Sequence, residues 1–117
     1  DLLPTLCELS DTEAPSGLDG VSFAPTLLGN SKNQEQRDYL YWEFHERGGK
    51  QAVRMGKWKG IRLNVRKDPN SPIELYDLSK DIGEGNNIAS KHPEVVKEIE
   101  LAMKESHVES LIFPFIK

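Results

Sequence analysis

A two-residue alternation of apolar and polar side chains runs through the middle of the chain and constrains its fold more than any other feature. Residues 39–46 read YLYWEFHE, which places Leu40, Trp42 and Phe44 on one face of an extended strand. Successive side chains of a strand point to opposite faces of its sheet. Three further segments keep this period: 50–55, 57–65 and 72–78. The pattern predicts four β-strands.

Short turn segments separate the predicted strands. Gly48 and Gly49 can supply the positive φ angles of a tight hairpin between the first two strands. Gly56 interrupts the alternation before the third strand, and the loop 66–72, RKDPNSP, precedes the fourth. Connections this short join antiparallel neighbours. We therefore expect a four-stranded antiparallel meander with an open face that needs a cover.

The last periodic segment, residues 93–106, predicts a helix. Pro93 suits its first turn, and Glu94 suits the positive helix N-terminus. The inward stripe of this helix consists of Val95, Val96, Ile99, Ala102, Met103 and Ser106. The open face of the sheet is the expected partner of that stripe. The predicted fold class is α+β, a four-stranded antiparallel sheet packed against a C-terminal helix, with the tail LIFPFIK laid across the same core.

The first third of the chain predicts two short helices and a polar connection. Leucines at helical spacing indicate a helix over 2–9, and FAPTLL after Ser22 indicates a second one over 22–28. Residues 30–38 are polar and are expected to be exposed. Cys7 lies among the leucines of the first helix, without a nearby His or basic residue that would lower its pKa. We expect it to be a buried structural thiol, and Trp42 and Trp58 to belong to the core.

Composition excludes several classes of function. The 117 residues suit one domain, and the net charge of -4 argues against nucleic-acid binding. No apolar run reaches the roughly 20 residues needed to cross a membrane. A single cysteine allows neither an intrachain disulfide nor a cysteine-rich zinc site. The chain opens on Asp1 inside an apolar pattern, so we expect it to be part of a longer protein.

No complete catalytic set is visible in the sequence. His92 and His107 flank the predicted helix and are expected to be solvated, whereas His45 ends a strand beside the Gly48–Gly49 turn, where functional side chains are often displayed. There is no Ser-His-Asp order, no GxSxG elbow and no pair of histidines at metal-ligand spacing. We therefore predict neither a catalytic residue nor a metal site within this chain.

The segment ELYDLSKDIGEGNNIA predicts a rigid corner. Asp81 can accept backbone N–H groups, and Gly83 permits a tight bend. Glu84 and Asn87 can tie the following loop to the backbone. A calcium loop is the alternative, but the spacing lacks the EF-hand pattern.

Four segments in a fixed order resemble the C-terminal end of the type I sulfatases, the arylsulfatase family. They are DLLPTLCELS, GLDGVSFAPTLLG, QAVRMGKWKGIR and ELYDLSKDIGEGNNIA. The usual family patterns are close to DLxPTLxxLAG, DGxSLxPxLxG, RxGxWKxI and ELYDLxxDPxExxNLA. Ile82 stands where the family usually has proline, and Ser10-Asp11 replaces the usual Ala-Gly. The resemblance runs from Asp1 to about Ile88 and into the following helix.

The resemblance implies a sulfuric ester hydrolase with a large catalytic domain and a smaller C-terminal subdomain. Residues 1–30 would be the end of the catalytic-domain segment, with its short helices, and residues 31–117 the subdomain. The parent would use calcium and a formylglycine made within a C/S-x-P-x-R motif. Here Cys7 is followed by Glu-Leu-Ser-Asp, so that motif is not matched. This chain is expected to hold none of these cofactors itself.

The resemblance also implies partners and a place for the substrate. The family's subdomain borders the active-site cleft, and the segment YWEFHERGGKQAVR is the candidate edge. His45 would bond a sugar hydroxyl, and Arg47 or Lys50 would attract a sulfated or carboxylated group of a small molecule or saccharide. The alternative is an ordinary hairpin with a solvated basic turn. Arg54 and Lys59 are expected to pair with carboxylates or to face the catalytic domain.

Two hypotheses about function follow. In the first, the chain is a sulfatase subdomain that packs on its own catalytic domain, without catalysis by itself, in a periplasmic or secreted enzyme. It predicts an exposed apolar face where residues 2–9 and 22–28 lack neighbours, and a possible dimer through that face. In the second, the chain is a stand-alone protein-interaction or carbohydrate-binding module without enzymatic activity, and no large apolar patch is exposed.

Overall fold

The computed structural model describes residues 1–112 and 114–115, and these fall into two compact units that divide between residues 37 and 38. In the first unit, helix α1 spans Leu2–Leu9 and helix α2 spans Ala24–Leu27. Both helices lie where the sequence predicts them, although α2 is shorter than expected. The hydroxyl of Thr5, which is buried, accepts a hydrogen bond from the backbone N–H of Phe23 at 3.0 Å.

The apolar side chains of the first unit are largely exposed, as the first hypothesis predicts. The exposed leucines are Leu2, Leu3, Leu6, Leu9, Leu27 and Leu28. Cys7 is only partly buried, so the prediction of a buried thiol is wrong. The reason is that α1 has one buried residue, Thr5, and its leucines enclose no core.

The second unit is a four-stranded antiparallel sheet covered by one helix, which confirms the predicted α+β class. The strands are β1, Leu40–Phe44; β2, Lys50–Met55; β3, Trp58–Leu63; and β4, Ile73–Asp77. They pair in chain order, β1-β2-β3-β4, as a meander. Helix α3 spans Pro93–Ser106, with the proline in its first turn.

On the face of the sheet that α3 covers, each cross-strand row contains one residue from each strand. Tyr41 pairs with Val53, Val53 with Gly60, and Gly60 with Leu75. Gly60 leaves room for Ile99 of α3, because a Cβ at position 60 would lie 2.6 Å from Cγ2 of that isoleucine. The helix therefore sits directly on the sheet. The buried core consists of Val53, Ile73, Leu75, Val95, Ile99, Ala102 and Met103.

The opposite face is here called the outer face. It carries the residues of β1 that are most apolar in the sequence. Trp42 is 50% exposed and Phe44 is 48% exposed, so the prediction that Trp42 is a core residue is wrong. Trp58 is partly buried and packs against the core, in agreement with the prediction. The helix covers the other face because that face offers the branched side chains of β2 and β4 and the space above Gly60.

The corner after β4 is organised by two polar side chains. The carboxylate of Asp81 accepts backbone N–H groups from Gly85 and Asn86, and these bonds lower its pKa. The Asn87 side-chain oxygen accepts the N–H groups of Leu75 and Ala89. The predicted backbone bonds of Asp81 and Asn87 are therefore present.

One ion pair links the corner to β3. Glu84 pairs with Lys59 of β3 rather than with the backbone, which confirms the ion pair predicted for Lys59. Arg54 has no carboxylate partner among the described residues.

The predicted apolar tail, 111–117, falls partly outside the described residues, which omit 113, 116 and 117. Within it, the side chain of Phe115 is 1% exposed, whereas Leu111 and Ile112 are exposed. In the described part of the chain, no helix is long and apolar enough to span a membrane.

Candidate functional site

The turn between β1 and β2 adopts three consecutive left-handed backbone conformations. The φ angles are 50° at Arg47, 90° at Gly48 and 76° at Gly49. Glycine adopts such angles without strain, which accounts for two of these positions. The turn is closed by a hydrogen bond from the N–H of Gly49 to the carbonyl of Glu46 at 3.1 Å. The predicted hairpin is therefore present.

The two glycines of this turn are also needed for a close approach within the chain. The N–H groups of Val65 and Arg66 donate to the carbonyls of Gly49 and Gly48 at 3.2 and 3.0 Å. A Cβ on Gly48 would lie 3.0 Å from Oδ1 of Asn64. The backbone of this turn therefore lies against the segment after β3.

His45 leaves the end of β1 on the side of the sheet that α3 covers. Its ring meets the ring of Phe115 edge-on, with 4.8 Å between centroids. Its Nε2 lies 3.5 Å from Oε2 of Glu43, and its side chain is 24% exposed. His45 is thus held by an aromatic ring and a carboxylate, and a narrow part of it reaches the surface.

The other two predicted substrate residues lie elsewhere on the hairpin. Arg47 is exposed at the tip of the turn. Lys50 pairs with Phe44 across the strands on the outer face, and its Nζ lies 5.9 Å from the centre of the Phe44 ring. The structure therefore places Lys50 and His45 on opposite faces of the sheet and does not bring the three residues into one cluster.

A polar cluster that the sequence analysis missed surrounds the carboxylate of Glu43 on the covered face. The phenol of Tyr41 donates to Glu43 and accepts a hydrogen bond from the side-chain amide of Gln51 at 2.9 Å. Nδ1 of His107 donates to Oε1 of the same carboxylate at 2.5 Å. The Glu43 side chain is 15% exposed. Burial and the bond to Glu43 raise the pKa of Tyr41 above its ordinary value, which keeps the phenol protonated as a donor.

His107 is bound by two carboxylates rather than solvated, so the expectation for this residue is wrong. Its Nε2 lies 3.0 Å from Oε2 of Glu109, while Nδ1 bonds Glu43. A carboxylate only accepts hydrogen bonds, so both ring nitrogens carry protons in this arrangement. The hydrogen bond to Glu43 is the main reason that the pKa of His107 is raised, and its burial acts in the opposite direction.

A buried arginine extends the cluster towards α3. The Arg62 side chain is 9% exposed; its Nε donates to the carbonyl of Ser71 at 3.0 Å and one terminal nitrogen bonds Glu100 of α3 at 2.6 Å. Arg62 pairs across the strands with Gln51, which pairs with Glu43. The three residues form a polar row across the sheet. A buried charge with two partners avoids the cost of an unpaired one.

This arrangement can bind and orient groups, but it contains no complete set for hydrolysis. The polar row offers no serine or cysteine nucleophile beside a base. Among residues 1–112 and 114–115, no three His, Cys, Asp or Glu side chains come together as a cation site.

The signal for the missed cluster was present in the sequence but ambiguous. Glu43 and His45 share a strand face with Tyr41, which marks that face as polar. Their partner His107 lies 64 residues after Glu43. No local pattern links residues so far apart, because only the packing of α3 on the sheet brings them together.

Comparison with known proteins identifies the family. A family model described as N-sulphoglucosamine sulphohydrolase, C-terminal, matches residues 1–110. This match covers both the short N-terminal helices and the sheet with its covering helix. The chain therefore belongs to that family and corresponds to the C-terminal domain of a sulfatase.

Curated relatives are sulfatases from distant organisms. Arylsulfatase A of Bos taurus is 34% identical over 124 residues, which covers 90% of this chain and 24% of the relative. Delta 4,5-hexuronate-2-O-sulfatase of Bacteroides thetaiotaomicron is 36% identical over 99 residues, which covers 83% of this chain and 20% of the relative. The chain thus spans less than a quarter of the length of these relatives.

Solved structures share the fold. A protein of glycosaminoglycan metabolism from Bacteroides thetaiotaomicron matches 87% of this chain and 23% of its own, with a TM-score of 0.64 and 29% identity. A structure solved with D-glucosamine-2-N,6-O-disulfate matches 88% of this chain and 22% of its own, with a TM-score of 0.68 and 24% identity. The second likeness shows the fold alone.

Proposed function

We propose that this chain is the C-terminal subdomain of a sulfuric ester hydrolase, where it supports the fold and forms one edge of a pocket for a sulfated saccharide. The family match over residues 1–110 carries the proposal. The named relatives act on sulfate esters, and one similar structure contains a sulfated glucosamine. The chain alone is expected to show no turnover.

Within the proposed pocket edge, the β1–β2 turn is the segment that would reach the substrate. Arg47 is exposed at its tip, and a guanidinium matches the geometry of a sulfate or carboxylate. His45 would offer a sugar hydroxyl the exposed part of its ring. Lys50 would act only on a substrate group that reaches the outer face, because it lies beside Phe44.

The proposal also names a partner domain and a cellular location. The partner of this chain would be the catalytic domain of the same protein, which would carry the calcium and the formylglycine. The exposed leucines of α1 and α2 support such a partner, because an isolated domain rarely exposes so many large apolar side chains. The proposal also places the enzyme in the periplasm or outside the cell, as the resemblance to sulfatases implies.

The test uses the complete enzyme that carries this chain. Arg47→Gln removes the charge at the turn without touching a described contact, and His45→Gln replaces the ring. If the turn edges the pocket, both variants raise KM for a sulfated saccharide, by roughly threefold to tenfold, while kcat changes less. A substitution that removes a contact made equally to the substrate and to the transition state raises KM and leaves kcat unchanged.

Lys67→Gln is the matched control, because Lys67 is exposed in the loop after β3 and loses the same charge. An unchanged KM in both test variants, or an equal rise in Lys67→Gln, contradicts the pocket edge. Absence of sulfate release from the complete protein contradicts the sulfatase assignment. The alternative, a binding module without activity, predicts that last result.

A further inference from the structure

The cluster on the covered face of the sheet borders a cavity of about 220 Å³. It lies between β2, β3, the loop after β3 and the C-terminal end of α3. Three of its lining residues carry or can carry positive charge: Arg62, Lys104 and His107. None of its described lining residues is acidic. Carboxylates just outside the lining compensate two of these groups: Glu100 bonds Arg62, and Glu43 and Glu109 bond His107. The cavity therefore offers an anion the ammonium of Lys104 and the terminal nitrogen of Arg62 that Glu100 does not bind.

The positive groups differ in how firmly they are held. Arg62 is nine-tenths buried, and its two hydrogen bonds to Ser71 and Glu100 fix the guanidinium. A terminal nitrogen of Arg62 has no protein acceptor among the described residues. Both ring nitrogens of His107 are already bonded to Glu43 and Glu109, so His107 lines the cavity without offering it a donor. Fixed donors bind an anion at a lower entropic cost than mobile ones.

The remaining lining residues suit a sugar ring. Gln51 and Asn70 offer side-chain amides, which can bond hydroxyl groups. Phe115, Met103 and Val65 form an apolar wall. Ligand sites commonly combine an apolar wall with a few placed polar groups. Lys104 and Asn70 are exposed, so the cavity opens at the surface.

We propose that this cavity is an anion-binding site for the sulfate or carboxylate group of a saccharide, distinct from the β1–β2 turn. The unbonded terminal nitrogen of Arg62 and the ammonium of Lys104 bind the anionic oxygens, and the wall formed by Phe115 receives the ring. The site does not depend on the proposed pocket edge, because it lies on different residues and requires binding rather than hydrolysis.

The experiment measures binding of three probes to the 117-residue chain by calorimetry: glucose 6-sulfate, glucose and inorganic sulfate. Glucose 6-sulfate is expected to bind more tightly than either of the others. Lys104→Gln is expected to weaken its binding by roughly threefold to fivefold, the effect of one exposed charge pair. Asn70→Asp places a negative charge in the lining and is expected to weaken it at least as much.

Lys97→Gln is the matched control, since Lys97 is an exposed lysine of the same helix that does not line the cavity. Arg62→Gln would not discriminate, because loss of its buried ion pair endangers folding. Equal weakening by Lys97→Gln overturns the site, as does absence of binding by glucose 6-sulfate. Inorganic sulfate binding as tightly as glucose 6-sulfate overturns the role of the apolar wall. Changes in KM caused by the turn variants leave these outcomes unaffected.

Discussion

Nδ1 of His107 lies 2.5 Å from Oε1 of Glu43, although 64 residues separate them in the chain. The contact joins the segment after α3 to the first strand of the sheet. Phe115 strengthens the same connection, because its ring contacts the rings of both His45 and His107. One carboxylate thus organises two histidines and a tyrosine beneath the covering helix.

This contact predicts a pH-dependent stability. The folded-state pKa of His107 is raised above the ordinary value of about 6.5, so its contribution is complete below that pH and is lost as pH rises through the folded-state pKa. His107→Gln should lower the free energy of unfolding by roughly 1 to 2 kcal/mol at pH 5.5. The difference should shrink at alkaline pH, as the wild-type imidazole loses its proton.

Urea unfolding of both proteins at pH 5.5 and at alkaline pH measures this difference. The charged groups around His107 are Glu43 and Glu109, with Arg62 and Lys104 across the cavity. His92→Gln is the control, because the His92 ring contacts only the exposed Glu94 among carboxylates, at 3.4 Å. A pH-independent loss in His107→Gln would show that packing, rather than charge, causes the effect.

The close fit of Gly60 under Ile99 predicts a cost for adding one methyl group. Gly60→Ala should lower the free energy of unfolding by about 1 to 3 kcal/mol, because the new Cβ would overlap with the isoleucine and α3 would have to move. Gly83→Ala is the matched control, since a Cβ there meets no atom closer than 4.0 Å. Chemical denaturation compares the two, and equal stabilities would contradict the packing argument.

The two tryptophans should differ in their effect on stability. Trp58→Ala removes a ring that packs on the core and lies 4.9 Å from the ring of His92, so we expect a loss of about 2 kcal/mol or more. Trp42→Ala should cost less than about 1 kcal/mol, because half of the side chain is exposed. Thermal and urea unfolding measure both. A larger loss for Trp42 would mean that the outer face has a cover in the isolated chain.

Asp77 should stabilise the fold down to low pH. Hydrogen bonds from Ser79, and then from Lys57, lower the pKa of Asp77 to about 2. Its contribution is present above the ordinary value of about 3.9 and is lost as pH falls towards 2. Asp77→Asn should therefore be less stable than the wild type at pH 7, and the gap should narrow below about pH 4 and nearly close at about pH 2.

Acid titration followed by circular dichroism measures that gap. The control is Asp19→Asn, because the Asp19 carboxylate is exposed and accepts no hydrogen bond among the described residues. A gap that stays constant down to pH 2 would contradict the role of the Asp77 charge.

The exposed leucines of α1 predict self-association of the isolated chain through the face formed by residues 2–9 and 22–28. Leu6 is 61% exposed, and Leu6→Glu should weaken dimerisation by roughly tenfold, because it places a charge in an apolar contact. Sedimentation velocity at several concentrations measures the dimer. Leu101→Glu is the control, since Leu101 is a comparably exposed leucine of α3. A chain that stays monomeric at high concentration contradicts the prediction.

The strands, their order and the helix followed from local patterns. Alternation with period two is a property of the strand itself, and Gly48 and Gly49 permit a turn whatever lies nearby. The stripe of α3 likewise depends only on helical spacing. These features survive in the structure because tertiary packing reinforces them.

Which face of the sheet is buried could not be obtained from the alternation. Trp42 and Phe44 look more apolar than Tyr41 and Glu43, yet the helix covers the face of Tyr41 and Glu43. The deciding position is Gly60, whose missing side chain lets α3 approach. The sequence shows the glycine but not which element packs against it, because that contact forms only in the folded chain.

In the candidate site, too, some features could be predicted from the sequence and others depend on tertiary contacts. The sequence by itself determined the meander, the covering helix, the hairpin turn and the resemblance to sulfatases, because each depends on neighbouring residues or on ordered motifs. Only the tertiary structure decided that Lys50 turns away from His45 and that Glu43 binds His107. Strand pairing and helix docking set which distant side chains meet, and those contacts are absent until the chain has folded.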